Sequence, residues 1–272
     1  MFVKDICELE KILCENKIVI YGAGYVAKRF YESLKKRGLA EKIECFVTSK
    51  EEKSIFCELP VASINNFSNE ESTVICIAVH ESIKDEIIEL LERKEYYNYV
   101  WIYPFQYQLM LGKPLRKAVK VSLADIVLKE KEYYGLAIRY LAIEQYYNKN
   151  EIGYEMYVKA WSLSCGIKTA QARLDSFIKL IKIWESEGYD ESRPSSILDN
   201  NDIIDGAHRI ALAVFEKREH IVCDIYSKLE ESLEVHTNDV KMTRGSLEKA
   251  GFSQDKIDII ENIRKRINEQ YL

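Results

Sequence analysis

Residues 17–27 read KIVIYGAGYVA, and this stretch decides the fold predicted for the first part of the chain. The apolar run at its start is typical of a short buried strand, and helical spacing follows its second glycine. A glycine-rich turn between a strand and a helix lets backbone N–H groups approach a phosphate. We therefore predict a phosphate-binding turn in which Gly22 permits the tight turn, Gly24 the close approach and Ala27 the packing of helix on strand.

Strands and helices alternate through the first 105 residues, with further strands predicted at 43–47, 73–79 and 99–102. This alternation predicts a parallel sheet with right-handed crossovers. The unit resembles the Rossmann-like domains at the front of sugar-modifying acyltransferases and polysaccharide-assembly proteins. The resemblance implies a bound nucleotide or nucleotide-sugar, although the glycines could also serve only to shape the turn. NAD is doubtful, because the second strand ends without a carboxylate for the ribose and Glu51 is the nearest acid.

The sequence DGAHR at residues 205–209 is the second candidate site. Residues 195–204 predict a β-hairpin, and a helix is predicted to begin directly after the glycine. Free N–H groups, the helix dipole and an arginine would then converge on one anion. We therefore predict that Gly206, His208 and Arg209 bind a phosphate.

The side chains of this motif have other possible roles. His208 could transfer a proton. Asp205 could cap the helix, orient His208 or hold a metal ion. In the simplest alternative Asp205 only caps the helix, and Arg209 pairs with a surface acid.

The same region resembles the ParB/sulfiredoxin superfamily, whose members carry a strand, a glycine turn and a basic helix start, often D-G-x-H-R. The resemblance covers residues 171–227 and includes an upstream helix-then-glycine segment, FIKLIKIWESEGYD at 177–190. Ala207 stands where sulfiredoxins place their reactive cysteine, which excludes sulfinic-acid repair. His208 stands where ParB-like members usually carry a second arginine.

The match is nearest to the free-serine kinases of this superfamily. It implies phosphoryl transfer from ATP or another nucleotide, with Mg²⁺, to a small hydroxyl compound. A kinase also needs a group that orients or deprotonates the acceptor. The candidates are Glu185, Glu187, Asp190 and Asp205, and spacing alone does not choose among them.

The composition of the chain disfavours several classes of function and site. The 272 residues are 47% hydrophobic with a formal net charge of -5, which disfavours a broad surface for nucleic acid. The seven cysteines form no C-x-x-C pair, so no zinc site is predicted and a reducing, cytoplasmic location is expected. No apolar run approaches the ~20 residues of a membrane span. The sequence does not specify an oligomeric state, and a homo-oligomer is compatible with it.

We predict an α/β protein with a Rossmann-like domain at 1–105, a helical connector at 106–170 and a ParB/sulfiredoxin-like module with C-terminal helices at 171–272. Within this division, residues 119–147 and 151–189 are predicted to be mostly helical. The leading function is nucleotide-dependent phosphoryl transfer to, or binding of, a small metabolite, and the two-part resemblance implies cell-surface polysaccharide assembly. The alternatives are a non-catalytic nucleotide sensor or scaffold and a ParB-like DNA-associated regulator.

Overall fold

The computed structural model describes residues 3, 5–49, 55–68, 72–227 and 242–272. Glu51 lies outside them. The chain divides into two compact units, Met1–Lys113 and Pro114–Leu272. Both units combine helices with a β-sheet, so the predicted α/β class is confirmed.

The first unit contains a six-stranded, mostly parallel sheet. Its strands are β1 (Lys17–Tyr21), β2 (Ile43–Thr48), β3 (Ile55–Phe56), β4 (Leu59–Ser63), β5 (Thr73–Ile77) and β6 (Tyr99–Trp101). Its α-helices are α1 (Ile6–Glu15), α2 (Tyr25–Lys36), α3 (Glu81–Arg93) and α4 (Gln106–Leu111). The strand order is β3-β4-β2-β1-β5-β6, and only the pairing of β3 with β4 is antiparallel.

The central strand β1 is buried on both faces. Ile18 and Ile20 belong to a core shared with α1 and α2, while Val19 and Tyr21 belong to a core shared with α3. The chain winds outward from β1 to β2 and β4, and then returns to add β5 on the other side of β1. Such a reversal leaves a crevice at the carboxyl ends of the two central strands. The turn at Gly22 follows β1 at this crevice.

The second unit has a four-stranded mixed sheet and seven α-helices among its described residues. The strands are β7 (Arg116–Ser122), β8 (Ser195–Leu198), β9 (Ile203–Asp205) and β10 (His220–Tyr226). The helices are α5 (Leu123–Glu130), α6 (Gly135–Tyr146), α7 (Gly153–Cys165), α8 (Ile167–Glu187), α9 (Ala207–Phe215), α10 (Arg244–Lys249) and α11 (Gln254–Tyr271). The sheet order is β7-β10-β8-β9, with β8 and β9 forming the predicted hairpin.

Two features of this unit differ from the sequence prediction. Residues 114–170, predicted as part of a connector, contribute to the same hydrophobic core as α8, α9 and α11. Residues 119–122, predicted as helix, form the end of β7 and pair with β10. The physical reason is alternation: Val119 and Val121 contact the core while Lys120 is exposed between them.

Candidate functional site

The start of α9 is formed by the turn that leaves β9. Gly206 is its N-cap, with φ +83° and ψ +17°, a left-handed conformation that favours glycine. A Cβ on Gly206 would lie 2.4 Å from Ser195 Oγ and 2.8 Å from Ser195 Cβ. The turn therefore requires glycine both for its dihedral angles and for its close approach to β8.

Among the described residues, no side chain caps this helix start. Gly206 makes no side-chain capping bond, and Asp205 is exposed at the end of β9. The capping role considered for Asp205 is therefore wrong. The first intrahelical bond runs from Ile210 N–H to the Gly206 carbonyl at 3.0 Å, so the N–H groups of residues 207–209 precede it.

Ser195 adds a polar group to this helix start. The residue is 1% exposed, and its Oγ has no hydrogen-bond partner among the described residues. The hydroxyl points at the backbone of Gly206. Burying a hydroxyl without a partner costs about 1–3 kcal/mol, which is offset if a ligand accepts its hydrogen bond.

Arg209 holds the chain segment that leads into β8. Its guanidinium donates hydrogen bonds to the carbonyl of Arg193 and, at 3.1 Å, to that of Pro194. Nη2 also lies 3.0 Å from the position of a Cβ on Gly206. Arg209 thus brings positive charge to the turn, but through backbone carbonyls rather than through the surface acid considered as its alternative partner.

The His208 ring packs away from Arg209, between Tyr157 of α7 and Phe177 of α8. Its Nε2 lies 2.7 Å from the Tyr157 hydroxyl, and its centroid lies 4.3 Å from that of Phe177. Burial, reinforced by the positive charges of Arg139 and Arg173, holds the pKa of His208 well below its ordinary value. His208 is therefore neutral at physiological pH and does not contribute an imidazolium charge to an anion site.

The neutral state of His208 predicts how the stability of the second unit depends on pH. Unfolded His208 takes up a proton near pH ~6.5 while folded His208 stays neutral, so the unfolded state binds more protons at lower pH. Below that pH, the free energy of unfolding of the second unit should fall by up to about 1.4 kcal/mol per pH unit from this residue. His208→Gln, which is neutral at every pH, should flatten this part of the profile.

Urea unfolding at several pH values between about 5 and about 7 measures the effect. The matched control is His220→Gln, since His220 is exposed in the same unit. A wild-type profile parallel to that of His208→Gln would contradict the assignment of a neutral imidazole.

The predicted acid Glu185 lies near the other end of α9. Glu185 is exposed and accepts a hydrogen bond from the Tyr146 hydroxyl at 2.9 Å. The adjacent Tyr147 stacks on Phe215, the last residue of α9, at 5.6 Å. Glu187 is exposed at the last residue of α8. The structure therefore places Glu185 away from the start of α9, and among the described residues Glu187 has no hydrogen bond or ion pair with residues 205–209.

The first candidate turn has the geometry expected from its glycines. Gly22 has φ +119°, and a Cβ there would lie 3.0 Å from the Ala78 carbonyl oxygen. Gly24 is the N-cap of α2 in an extended conformation that any residue adopts, and no described atom lies within 4 Å of its Cβ position. Ala27 is fully buried. Gly22 is thus required by the fold, whereas Gly24 borders open space.

Three residues of the second site are not among the site residues predicted from the sequence: Ser195, Tyr157 and Phe177. In the sequence, nothing distinguishes Ser195 from an ordinary first residue of a hairpin strand. The two aromatic residues have the spacing of core positions on helices, and they are indeed almost fully buried. Their contact with His208 comes from tertiary packing, for which the local sequence carries no signal.

Within the described ranges, no group of three or more His, Cys, Asp or Glu side chains could hold a metal ion. No helix in that part of the chain combines the length and the apolar character that crossing a membrane requires. No family model, curated protein or solved structure matches the chain. What the chain does must therefore be inferred from the residues themselves.

Proposed function

We propose that the second unit binds the phosphate groups of a nucleotide at the start of α9 and serves phosphoryl transfer to a small hydroxyl compound. One observation carries this proposal: an uncapped helix start faces a buried serine hydroxyl that has no partner among the described residues. A phosphate accepts hydrogen bonds from both kinds of donor. Binding would thus satisfy at one point the N–H groups of residues 207–209 and the Ser195 hydroxyl.

Charge favours the same position. The helix dipole stabilises an anion at the start of α9 by about 0.3–1 kcal/mol. Arg209 adds a full positive charge beside Gly206 and is held there by its bonds to the Arg193 and Pro194 carbonyls. Those two bonds occupy part of the guanidinium. Arg209 would therefore supply positive charge and fix the turn, and its remaining N–H groups would donate to the phosphate.

Asp190 replaces Glu185 as the acid in this proposal. The Ser192 hydroxyl and backbone N–H donate to it at 2.6 and 2.9 Å and, with Arg193 and Arg209 further away, hold its pKa below the ordinary value. An ionised carboxylate can orient an acceptor hydroxyl. Mg²⁺ would be bound mainly by the nucleotide phosphates, as is common for this ion.

Ser195→Ala is expected to weaken nucleotide binding at least about tenfold, because a hydrogen bond to a charged group contributes about 1.5–3 kcal/mol. The same change removes an unpartnered hydroxyl from the free protein, so the free energy of unfolding should stay constant or rise. Calorimetric titration measures the affinity, using the tightest ligand from a thermal-shift screen of ATP, ADP, CTP and UDP-sugars with Mg²⁺.

Ser196→Ala is the matched control for this experiment. Ser196 is the next residue of β8, and successive side chains of a strand point to opposite faces. Its replacement should leave the affinity unchanged. Equal affinities in the wild type and both variants would contradict a phosphate at the start of α9.

A second candidate is a nucleotide or nucleotide-sugar site in the first unit. The order β4-β2-β1-β5-β6 is the order of Rossmann-type sheets, in which ligands bind at the carboxyl ends of the central strands. The open space at Gly24 supports close approach of a phosphate to the start of α2. At the tip of β2, Ser49 is hydrogen-bonded to the Tyr21 hydroxyl at 2.7 Å, which favours a ligand other than NAD.

A further inference from the structure

His208 forms one end of a layered cluster built from three helices besides its own. The Tyr157 ring, which meets His208, stacks on Trp161 one turn later on α7, with centroids 4.4 Å apart. The guanidinium of Arg139, from α6, lies 4.5 Å from the centre of the Trp161 ring. Arg139 is only 4% exposed. Aromatic rings and a buried positive charge thus form the wall behind His208.

Arg173 is the second positive charge that acts on the histidine. It lies on α8 four residues before Phe177, and residues at this spacing share one face of a helix. Phe177 contacts the His208 ring. Arg173 therefore lies about one helical turn from this contact, on the same face of α8. Arg173 is half-buried and has no hydrogen bond or ion pair among the described residues.

The acid closest to Arg173 along α8 does not neutralise it. Asp175 is exposed and accepts a hydrogen bond from Gln171 at 3.1 Å. The charged groups that perturb His208 are Arg139 and Arg173, both positive. A guanidinium whose donors have no partner among the described residues, one helical turn from the ring that contacts a neutral imidazole, has the chemistry that recognises an oxyanion.

We infer that the ligand of the second unit carries a second oxyanion group, a phosphate or a carboxylate, which Arg173 binds beside the His208–Tyr157 pair. This inference rests on the proposed function, in which a first phosphate lies at the start of α9. His208 belongs to the first turn of that helix, and its side chain leads to the second position. The second oxyanion is either a further phosphate of the nucleotide or a carboxylate of the acceptor.

Three inorganic and organic probes distinguish these sources: orthophosphate carries one oxyanion group, pyrophosphate two phosphates, and 2-phosphoglycolate a phosphate and a carboxylate. Calorimetric titration gives the affinity of each probe for the full chain. In the wild type, at least one two-group probe should bind about tenfold tighter than orthophosphate. A gain with pyrophosphate identifies the nucleotide as the source, and a gain with 2-phosphoglycolate identifies the acceptor.

Arg173→Gln should abolish that gain while leaving orthophosphate affinity unchanged, and Arg173→Lys should keep only part of it because lysine lacks the bidentate fork. Lys179→Gln is the matched control, since Lys179 is an exposed cation on the same helix. Circular dichroism verifies folding. A gain that survives in Arg173→Gln, or equal wild-type affinities for all three probes, overturns the inference.

The proposed function can fail separately in this experiment. If Ser195→Ala leaves all affinities unchanged while Arg173→Gln still lowers the binding of a two-group probe, the phosphate site at α9 is refuted and the Arg173 site is supported. If Ser195→Ala weakens the binding of every probe and Arg173→Gln weakens the binding of none, the phosphate site at α9 is supported and the Arg173 site is refuted.

Discussion

Replacing Gly153 with alanine is expected to destabilise the second unit by about 3 kcal/mol or more. A Cβ at this first residue of α7 would lie 2.2 Å from the Leu141 carbonyl oxygen and 2.8 Å from the Ala142 nitrogen, both backbone atoms of α6. Overpacking usually costs about 1–3 kcal/mol, and more where the neighbouring atoms are backbone that no rotamer change can move aside. Leu141 O also accepts a hydrogen bond from Asn150, which the displacement would break.

Urea unfolding followed by tryptophan fluorescence measures this loss. Trp161 and Trp184 lie in the second unit, so a Trp101→Phe background removes the signal of the first unit. Gly245→Ala is the matched control, because Gly245 lies in the first turn of α10 and its Cβ position has only one atom within 4 Å, at 3.9 Å. Equal midpoints for both variants would contradict the close packing of α6 against α7.

The architecture of the first unit follows closely from its sequence. β1 and β5 are apolar runs buried on both faces, a pattern typical of central parallel strands. The exceptions are β3, whose two residues are too few to show a pattern, and β4, in which Pro60 interrupts a short run of apolar residues and disfavours a strand. The pairing of β4 with β2 makes it a strand, which is a tertiary effect that local pattern does not encode.

At the second site, the motif predicts where the secondary-structure elements lie but not which residues its side chains contact. The hairpin, the glycine turn and the helix start all lie where residues 195–209 place them. Neighbouring side chains on a helix point about 100° apart, so His208 and Arg209 enter different surroundings. His208 meets Tyr157, which is 51 positions away in the sequence, and Arg209 meets the segment before β8. Only the fold supplies these partners.

Replacing Gly206 with alanine should reduce nucleotide affinity at least about a hundredfold. The left-handed backbone costs a residue with a Cβ about 1–2 kcal/mol, and the contact with Ser195 adds about 1–3 kcal/mol of overpacking. Relief of that contact moves the start of α9 away from β8, so more than one charge-assisted hydrogen bond to the phosphate is lost. The free energy of unfolding should fall by about 2–5 kcal/mol.

Gly188→Ala separates backbone strain from the contact with Ser195. Gly188 ends α8 with φ +80°, and no described atom lies within 4 Å of its Cβ position. With ψ -167° this backbone lies in a region almost exclusive to glycine, so the replacement should cost only backbone strain, about 1–3 kcal/mol, and leave nucleotide affinity unchanged. Similar losses of affinity in both variants would point to general destabilisation rather than to a phosphate site at Gly206.

The most direct measurement is a titration of the nucleotide followed by ¹H–¹⁵N spectra of the wild type and of the Gly206→Ala variant. Hydrogen bonds from backbone N–H groups to a phosphate should move the amide protons of Ala207, His208 and Arg209 downfield in the wild type and leave them in place in the variant. Shifts confined to the turn that begins α2, around Gly24, with the amides of residues 207–209 unmoved, would contradict the proposal that the start of α9 binds the phosphates.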